Sequence, residues 1–324
     1  MTDQSKIDRK VAKRVSLIER ANDAFGLRNL GPASVPSELP ETRTRQPKAV
    51  VEPALTPEPA PSSEKPADAA PPQKPELPPV ALSGPLQAID RDRLREAGLI
   101  VPEDPVSALL EEFRIVKRDL IADARAVRDA RQRRILMSSP HTGEGKTYCA
   151  VNLAIALAAE NDVEVLLVDA DVIRPSAARR LGIEAECGLM DALANPDIRP
   201  ETLAVKTDID GLFVLPAGTT GPRDAELLAS ERTGEILSRL TRGAPNRFVI
   251  FDTPPALAAS PAAELAAHVG QAVLVVRADE TSRAALDDAR QLLSACPNMK
   301  LLLNAARFSP TGRQFGEYYG AAEL

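Results

Sequence analysis

Apolar and polar positions alternate in different ways along the 324-residue chain, and the changes mark its organisation. Between residues 5 and 25, Ile7, Val11, Val15 and Ile18 recur at helical spacing, with Lys6, Arg9, Lys10, Lys13 and Arg14 between them. This predicts a short basic amphipathic helix, suited to a membrane surface or a partner, or simply carrying a solvated charged face. From Gly31 to Pro85 the periodicity vanishes. That stretch holds 15 of the 29 prolines, with Ala, Glu and Ser in the gaps. It cannot bury enough surface to offset its ordering entropy and reads as a disordered tether. Order is expected to resume near Leu86. Asp90–Ala97 predicts a short helix stopped by Gly98, and Val106–Arg131 a long one, with Leu109, Phe113, Val116, Leu120 and Val127 as its stripe. Aliphatic runs then alternate with helical patterns. Strands are predicted at Arg134–Ser138, Val163–Asp169, Leu212–Pro216, Phe248–Asp252, Ala272–Arg277 and Lys300–Asn304. Helices are predicted at Ala150–Ala159, Asp224–Leu240, Pro261–His268 and Ser282–Ala295. Such alternation predicts an α/β fold, a doubly wound and mainly parallel sheet with ligands at the carboxyl ends of its strands.

Composition adds constraints. The chain is 44% hydrophobic but 3% aromatic and lacks Trp, so its core must be aliphatic. A net charge of -6 gives no global attraction to nucleic acid or acidic lipid. Cys149, Cys187 and Cys296 have neither metal nor redox spacing, which suits a reducing, cytoplasmic compartment. The start is polar, unlike a signal peptide, and no apolar run is long enough for a direct membrane span.

The chemistry concentrates in Ser138-Ser139-Pro140-His141-Thr142-Gly143-Glu144-Gly145-Lys146-Thr147, between a predicted strand and a predicted helix. Two glycines let successive N–H groups curl around phosphate oxygens, and the helix N-terminus adds positive dipole. Lys146 would reach the β- and γ-phosphates and Thr147 would offer its hydroxyl to Mg²⁺. Thr142, Gly143, Glu144, Gly145 and Tyr148 complete the expected contacts, with Pro140 where a P-loop usually has Gly. Asp169 and Asp171 follow one strand-like run, and Asp252 follows another. A triphosphate-bound Mg²⁺ takes few protein ligands, so Thr147 would bind it directly while Asp252 and Asp169 hold its waters. Asp169 or Asp171 would accept a proton from an incoming hydroxyl. Asn304, after the last strand, is placed to line an adenine pocket or simply to make a turn. Glu111, Arg114 and Lys117 share one side of the long helix, where they would pair internally or contact another subunit.

Three segments in order, Gly143-Glu144-Gly145-Lys146-Thr147, Leu166-Leu167-Val168-Asp169-Ala170-Asp171 and Val249-Ile250-Phe251-Asp252-Thr253-Pro254-Pro255, resemble the Walker A, A′ and B set of bacterial tyrosine kinases from exopolysaccharide loci. Glu111-x-x-Arg114-x-x-Lys117 is similar to that family's E-x-x-R-x-x-R oligomerisation motif. Ser16-Leu17-Ile18-Glu19-Arg20-Ala21, with Glu111-Glu112-Phe113-Arg114, is similar to the subgroup of autokinases from exosortase/PEP-CTERM loci. The resemblance implies a P-loop NTPase fold of the MinD/ParA-like class and ATP with Mg²⁺ as cofactors. It also implies a homo-oligomer that autophosphorylates C-terminal tyrosines, here Tyr318 and Tyr319. A membrane chain-length-determinant (Wzz-like) activator would recruit it to the inner face of the plasma membrane. The implied organisation is a helical segment at 1–30, a Pro/Ala-rich linker at 31–85, the kinase domain at 86–308 and a flexible tail at 309–324.

Two other readings compete. One is a partitioning or site-placing switch ATPase, although its signature loop lysine is replaced here by His141, with Thr142 next. The other is a nucleotide-binding assembly factor of the export machinery without catalysis.

Overall fold

The computed structural model describes residues 79–127 and 129–306. The predicted basic helix at 5–25, most of the proline-rich tether and the tyrosine tail lie outside the described residues.

Among the described residues, eight strands make one sheet. They are β1 (Leu86–Gln87), β2 (Arg134–Ser138), β3 (Glu164–Asp169), β4 (Val205–Thr207), β5 (Leu212–Leu215), β6 (Arg247–Asp252), β7 (Gln271–Arg277) and β8 (Asn298–Asn304). Their spatial order is β1-β4-β5-β3-β6-β2-β7-β8, and every pairing is parallel except β4 with β5. The helices are α1 (Arg91–Glu96), α2 (Ala108–Ala126), α3 (Lys146–Ala158), α4 (Ala177–Arg180), α5 (Leu189–Ala194), α6 (Pro200–Leu203), α7 (Asp224–Leu228), α8 (Glu231–Thr241), α9 (Pro261–Ala266) and α10 (Arg283–Leu292).

The central strands are nearly continuous apolar runs because both faces of the sheet are covered. In β6, Phe248 and Ile250 enter one core while Val249 and Phe251 enter the other. Helix α3 is buried nearly all round, with only Tyr148 partly exposed, so its apolar sequence shows no polar stripe. It runs between the sheet and α2, and its first turn begins at the phosphate loop.

The observed elements depart from the expected ones in places. Order begins ahead of Leu86: the Ser83 N–H donates to the Glu201 carbonyl, and the Pro85 carbonyl accepts from the Lys206 N–H, both at 2.9 Å. The end of the expected linker is therefore laced to β4 and to α6. Helix α2 stops at Ala126 rather than Arg131, because Asp129 accepts from the Arg131 N–H and starts a separate 3₁₀ turn, Ala130–Arg133. The predicted Asp224–Leu240 helix is two helices. The hydroxyls of Ser230 and Thr233 both donate to the Leu227 carbonyl, ending α7, while Ser230 is extended and starts α8. The short strands β1 and β4 and the helices α4 to α6 are too short to carry a sequence period. Among the described residues no helix is long and apolar enough to cross a membrane.

Candidate nucleotide site

The loop from Ser139 to Gly145 joins β2 to α3, with β2 flanked by β6 and β7. Gly143 and Gly145 have φ of 85° and 96°, the left-handed region in which a side chain is strained. Gly145 is constrained a second time, since a Cβ there would lie 2.1 Å from Asn304 Nδ2. The loop is held from behind. Glu144 is buried and accepts from the His141 N–H at 2.8 Å and from the Thr281 hydroxyl at 2.5 Å. Asn304 Nδ2 donates to the Glu144 carbonyl at 2.9 Å. Glu144 and Asn304, both expected at the nucleotide, thus spend these polar groups on the loop's own shape.

Lys146 closes the front. Its Nζ donates to Asp171 Oδ2 at 2.6 Å, to Thr147 Oγ1 at 3.2 Å and to Asp252 Oδ1 at 3.5 Å. Asp169 and Asp252 are register partners at the ends of neighbouring parallel strands, which puts both on the same face of the sheet. Asp171 lies beyond the strand end and turns differently, with Oδ1 accepting from the Arg174 N–H at 3.0 Å. All three acids are buried. Burial, then the neighbouring Asp252 charge, pushes the Asp169 carboxyl up to about 7, against the pull of the Ala177 N–H. Burial also pushes Asp252 up to about 6, although the charge of Lys146 and the hydroxyl of Thr147 pull it back down.

Two buried oxygens, Asp169 Oδ1 and Asp252 Oδ2, have no hydrogen-bond partner. Hard carboxylate oxygens left over beside a phosphate loop suit a Mg²⁺ that keeps most of its waters. Among the described residues no group of three or more His, Cys, Asp or Glu forms an all-protein metal cage.

The cleft above these groups measures about 440 Å³. Of the expected contacts, Thr142, Gly143, Gly145, Lys146, Thr147, Tyr148 and Asp171 line it, joined by Ile173, Arg174, Arg180, Pro255 and Ala258. Tyr148 anchors its hydroxyl on the Gly98 carbonyl at 2.8 Å, which ties α3 to the turn after α1. Thr281 and Arg180 carry no motif signal, and only the folded chain brings them near the loop. Far from the cleft, Arg114 pairs with Glu111. Lys117 leaves that row, donating to the Ala156 carbonyl at 2.8 Å and reaching Glu160 at 2.7 Å. Its ammonium group neutralises the carboxyl end of α3.

Fold and site together define a P-loop nucleotide-binding domain. Residues 132–306 match the family described as an AAA domain, and the chain belongs to that family. It is similar to the tyrosine-protein kinase YwqD of Bacillus subtilis, 28% identical over 236 residues that cover 72% of this chain and 96% of the relative. It is also similar to the tyrosine-protein kinase wzc of Salmonella typhi, 30% identical over 187 residues; the matched part covers 57% of this chain and a quarter (25%) of that protein. Among solved structures, the kinase domain of the Escherichia coli tyrosine kinase ETK has the same fold. Its TM-score is 0.54 at 24% identity, covering 70% of this chain and 98% of that one.

Proposed function

We propose that this chain is an ATP-dependent protein-tyrosine autokinase of exopolysaccharide synthesis and export. It transfers the γ-phosphoryl group of ATP to Tyr318 and Tyr319 of a neighbouring subunit. The observation that carries the reading is the convergence of Lys146, Asp171 and Asp252 under a left-handed glycine loop. Similarity to chains named tyrosine-protein kinases supports the choice of acceptor.

Bound ATP replaces the carboxylates as the partner of Lys146, whose ammonium group then faces the β- and γ-phosphates. Backbone N–H groups from Thr142 to Thr147 receive the phosphate oxygens. Thr147, Asp169 and Asp252 would hold Mg²⁺, which supplies charge neutralisation to the phosphates. The tyrosine oxygen attacks the γ-phosphorus in line. The bond to the β,γ-bridging oxygen breaks and ADP leaves with the electron pair. The phenolic proton passes to Asp171, freed from Lys146 by the nucleotide. Little covalent chemistry falls to the protein, so positioning and charge stabilisation dominate.

In the cell, a membrane chain-length-determinant (Wzz-like) protein recruits and activates the chain at the inner face of the plasma membrane. Arg114 and Glu111 contribute to assembly of the oligomer, and the chain falls in the exosortase/PEP-CTERM subgroup. The test is incubation of the full chain with γ-labelled ATP and Mg²⁺, with the label mapped. Phosphotyrosine at 318 or 319 supports the proposal. Release of free phosphate with unlabelled tyrosine points instead to a switch ATPase, and nucleotide binding without turnover to an assembly factor.

A further inference from the structure

The amino edge of the sheet, opposite the nucleotide cleft, carries a second cavity. Five of the ten residues from 125 to 134 are arginine against one acid, Asp129, in a chain whose net charge is -6. Arg133 directly precedes β2, Val163 directly precedes β3, and Phe248 is the second residue of β6. These three line a cavity of about 820 Å³ together with Arg125, Asn161 and Asn246. The five residues of β2 put roughly 17 Å between this cavity and the phosphate loop, so the two sites are separate.

Arg133 distinguishes the cavity from an ordinary basic surface. Its Nε is buried and has no hydrogen-bond partner; of the unpartnered buried donors among the described residues, it is the one that carries charge. Burial holds the guanidinium below its ordinary pKa, against the pull of the Asp129 charge. Arg134 beside it is satisfied. Its Nε and Nη2 donate to the Thr241 hydroxyl at 3.1 and 2.7 Å, and its Nη1 donates to the His268 carbonyl at 3.1 Å. The turn that carries Arg133 is also pinned. The Gly270 N–H donates to the Arg131 carbonyl at 2.7 Å, and a Cβ on Gly270 would lie 2.7 Å from that carbonyl. Buried Gln271 donates to the Gln132 carbonyl at 2.6 Å. A buried cation without an acceptor costs stability, and one fixed beside a cavity is preorganised for an anion.

We propose that this cavity binds a phosphate ester, with Arg133 and Arg125 on the phosphate and Val127, Val163 and Phe248 against the organic part. Guanidinium groups pair bidentately with phosphate. Two arginines against one lining acid, Asp162, suit a single phosphate better than a polyphosphate. The volume and the apolar lining leave room for more than a bare anion. A soluble ester and a lipid headgroup offer the same chemistry, and the test separates them. The inference is independent of the kinase reading.

Calorimetry with the full chain tests this, using inorganic phosphate and phenyl phosphate as probes, with a non-hydrolysable ATP analogue and Mg²⁺ in excess to fill the loop. Sedimentation with phosphatidylcholine vesicles, with and without phosphatidylglycerol, tests the lipid source. Phenyl phosphate should bind more tightly than inorganic phosphate. Arg133→Met should weaken it by roughly tenfold or more, and Arg125→Ala by roughly three- to tenfold. Arg133→Met removes an unsatisfied charge and keeps an apolar stem, so its melting temperature without ligand should equal or exceed that of the unaltered chain. Arg125 is exposed, and Arg125→Ala carries the test alone if Arg133→Met does not fold. Arg290→Ala, on the exposed side of α10, should change nothing. Arginine-dependent binding of phenyl phosphate alone identifies a soluble ester; arginine-dependent binding of the phosphatidylglycerol vesicles identifies a headgroup; both uphold the site. Binding indifferent to Arg133 and Arg125, or no binding of any probe, overturns it. A lower melting temperature in Arg133→Met with unchanged phenyl phosphate affinity makes the residue structural and overturns it as well.

Discussion

Lys146 Nζ lies 2.6 Å from Asp171 Oδ2 in a pocket where the two side chains are 11% and 5% exposed. The lysine proposed above to face phosphate is thus paired with a buried carboxylate. Removing one member of a buried pair strands the other charge. Lys146→Met should lower the stability of the nucleotide-free chain by about 3–5 kcal/mol near neutral pH, and by less near pH 5, where Asp252, no longer pulled down by the Lys146 charge, takes up a proton. Thermal melts at the two pH values check this.

The two raised carboxyls set a pH dependence. Asp169 at about 7 and Asp252 at about 6 hold protons in the folded, metal-free chain that the unfolded chain, with Asp near 4, has already released. The folded state binds more protons across that window, so this contribution to stability is greatest below about pH 4 and is lost as pH rises toward about 7. Urea midpoints in EDTA, read from pH 4 to 8, should show that loss against the other titrations. Asp169→Asn should flatten the upper part of it. A profile unchanged by Asp169→Asn would contradict the assignment.

Gly145 carries two constraints that can be separated. Gly145→Ala should cost about 1–2 kcal/mol for its left-handed backbone and add a clash with Asn304. Nucleotide affinity should fall at least tenfold. Adding Asn304→Ala removes the clash and not the backbone strain, so calorimetry on the double variant should show partial recovery. Complete recovery would mean that φ does not matter, and none would mean that the clash does not.

Lys117 and Arg114 should behave differently although they share a motif. Lys117→Met removes the buried ammonium from the Ala156 carbonyl and Glu160, and should cost about 1.5–3 kcal/mol of subunit stability. Arg114 is 38% exposed and pairs with Glu111 on its own helix, so Arg114→Ala should leave stability nearly unchanged while shifting the sedimentation of any oligomer.

Much of this architecture is legible in the chain itself. The aliphatic runs before Asp169 and Asp252 announce buried strands, and acids at their ends can only sit at the carboxyl edge, where the loop also lies. Gly143 and Gly145 are readable because few other residues tolerate their backbone. The supports are not readable. Thr281 reaches Glu144 across 137 positions and Asn304 reaches the loop across 160, and neither contact has a local period or spacing. Lys117 falls in the motif row by spacing, yet the carboxyl end of α3 captures it, a tertiary contact that helical geometry alone does not reveal. The arginines around α4 look like any solvated charge run until the fold places two of them on the cleft.

The account is tested most directly by a complementation experiment. The donor carries Tyr318→Phe and Tyr319→Phe with Lys146 intact, and the acceptor carries Lys146→Met with both tyrosines. Each alone with labelled ATP and Mg²⁺ should stay unlabelled, and the mixture should place phosphate on Tyr318 or Tyr319 of the Lys146→Met chain. An unlabelled mixture, under conditions in which the unaltered chain labels itself, would contradict transfer between subunits; label on the Lys146→Met chain incubated alone would contradict the loop as the site of the chemistry.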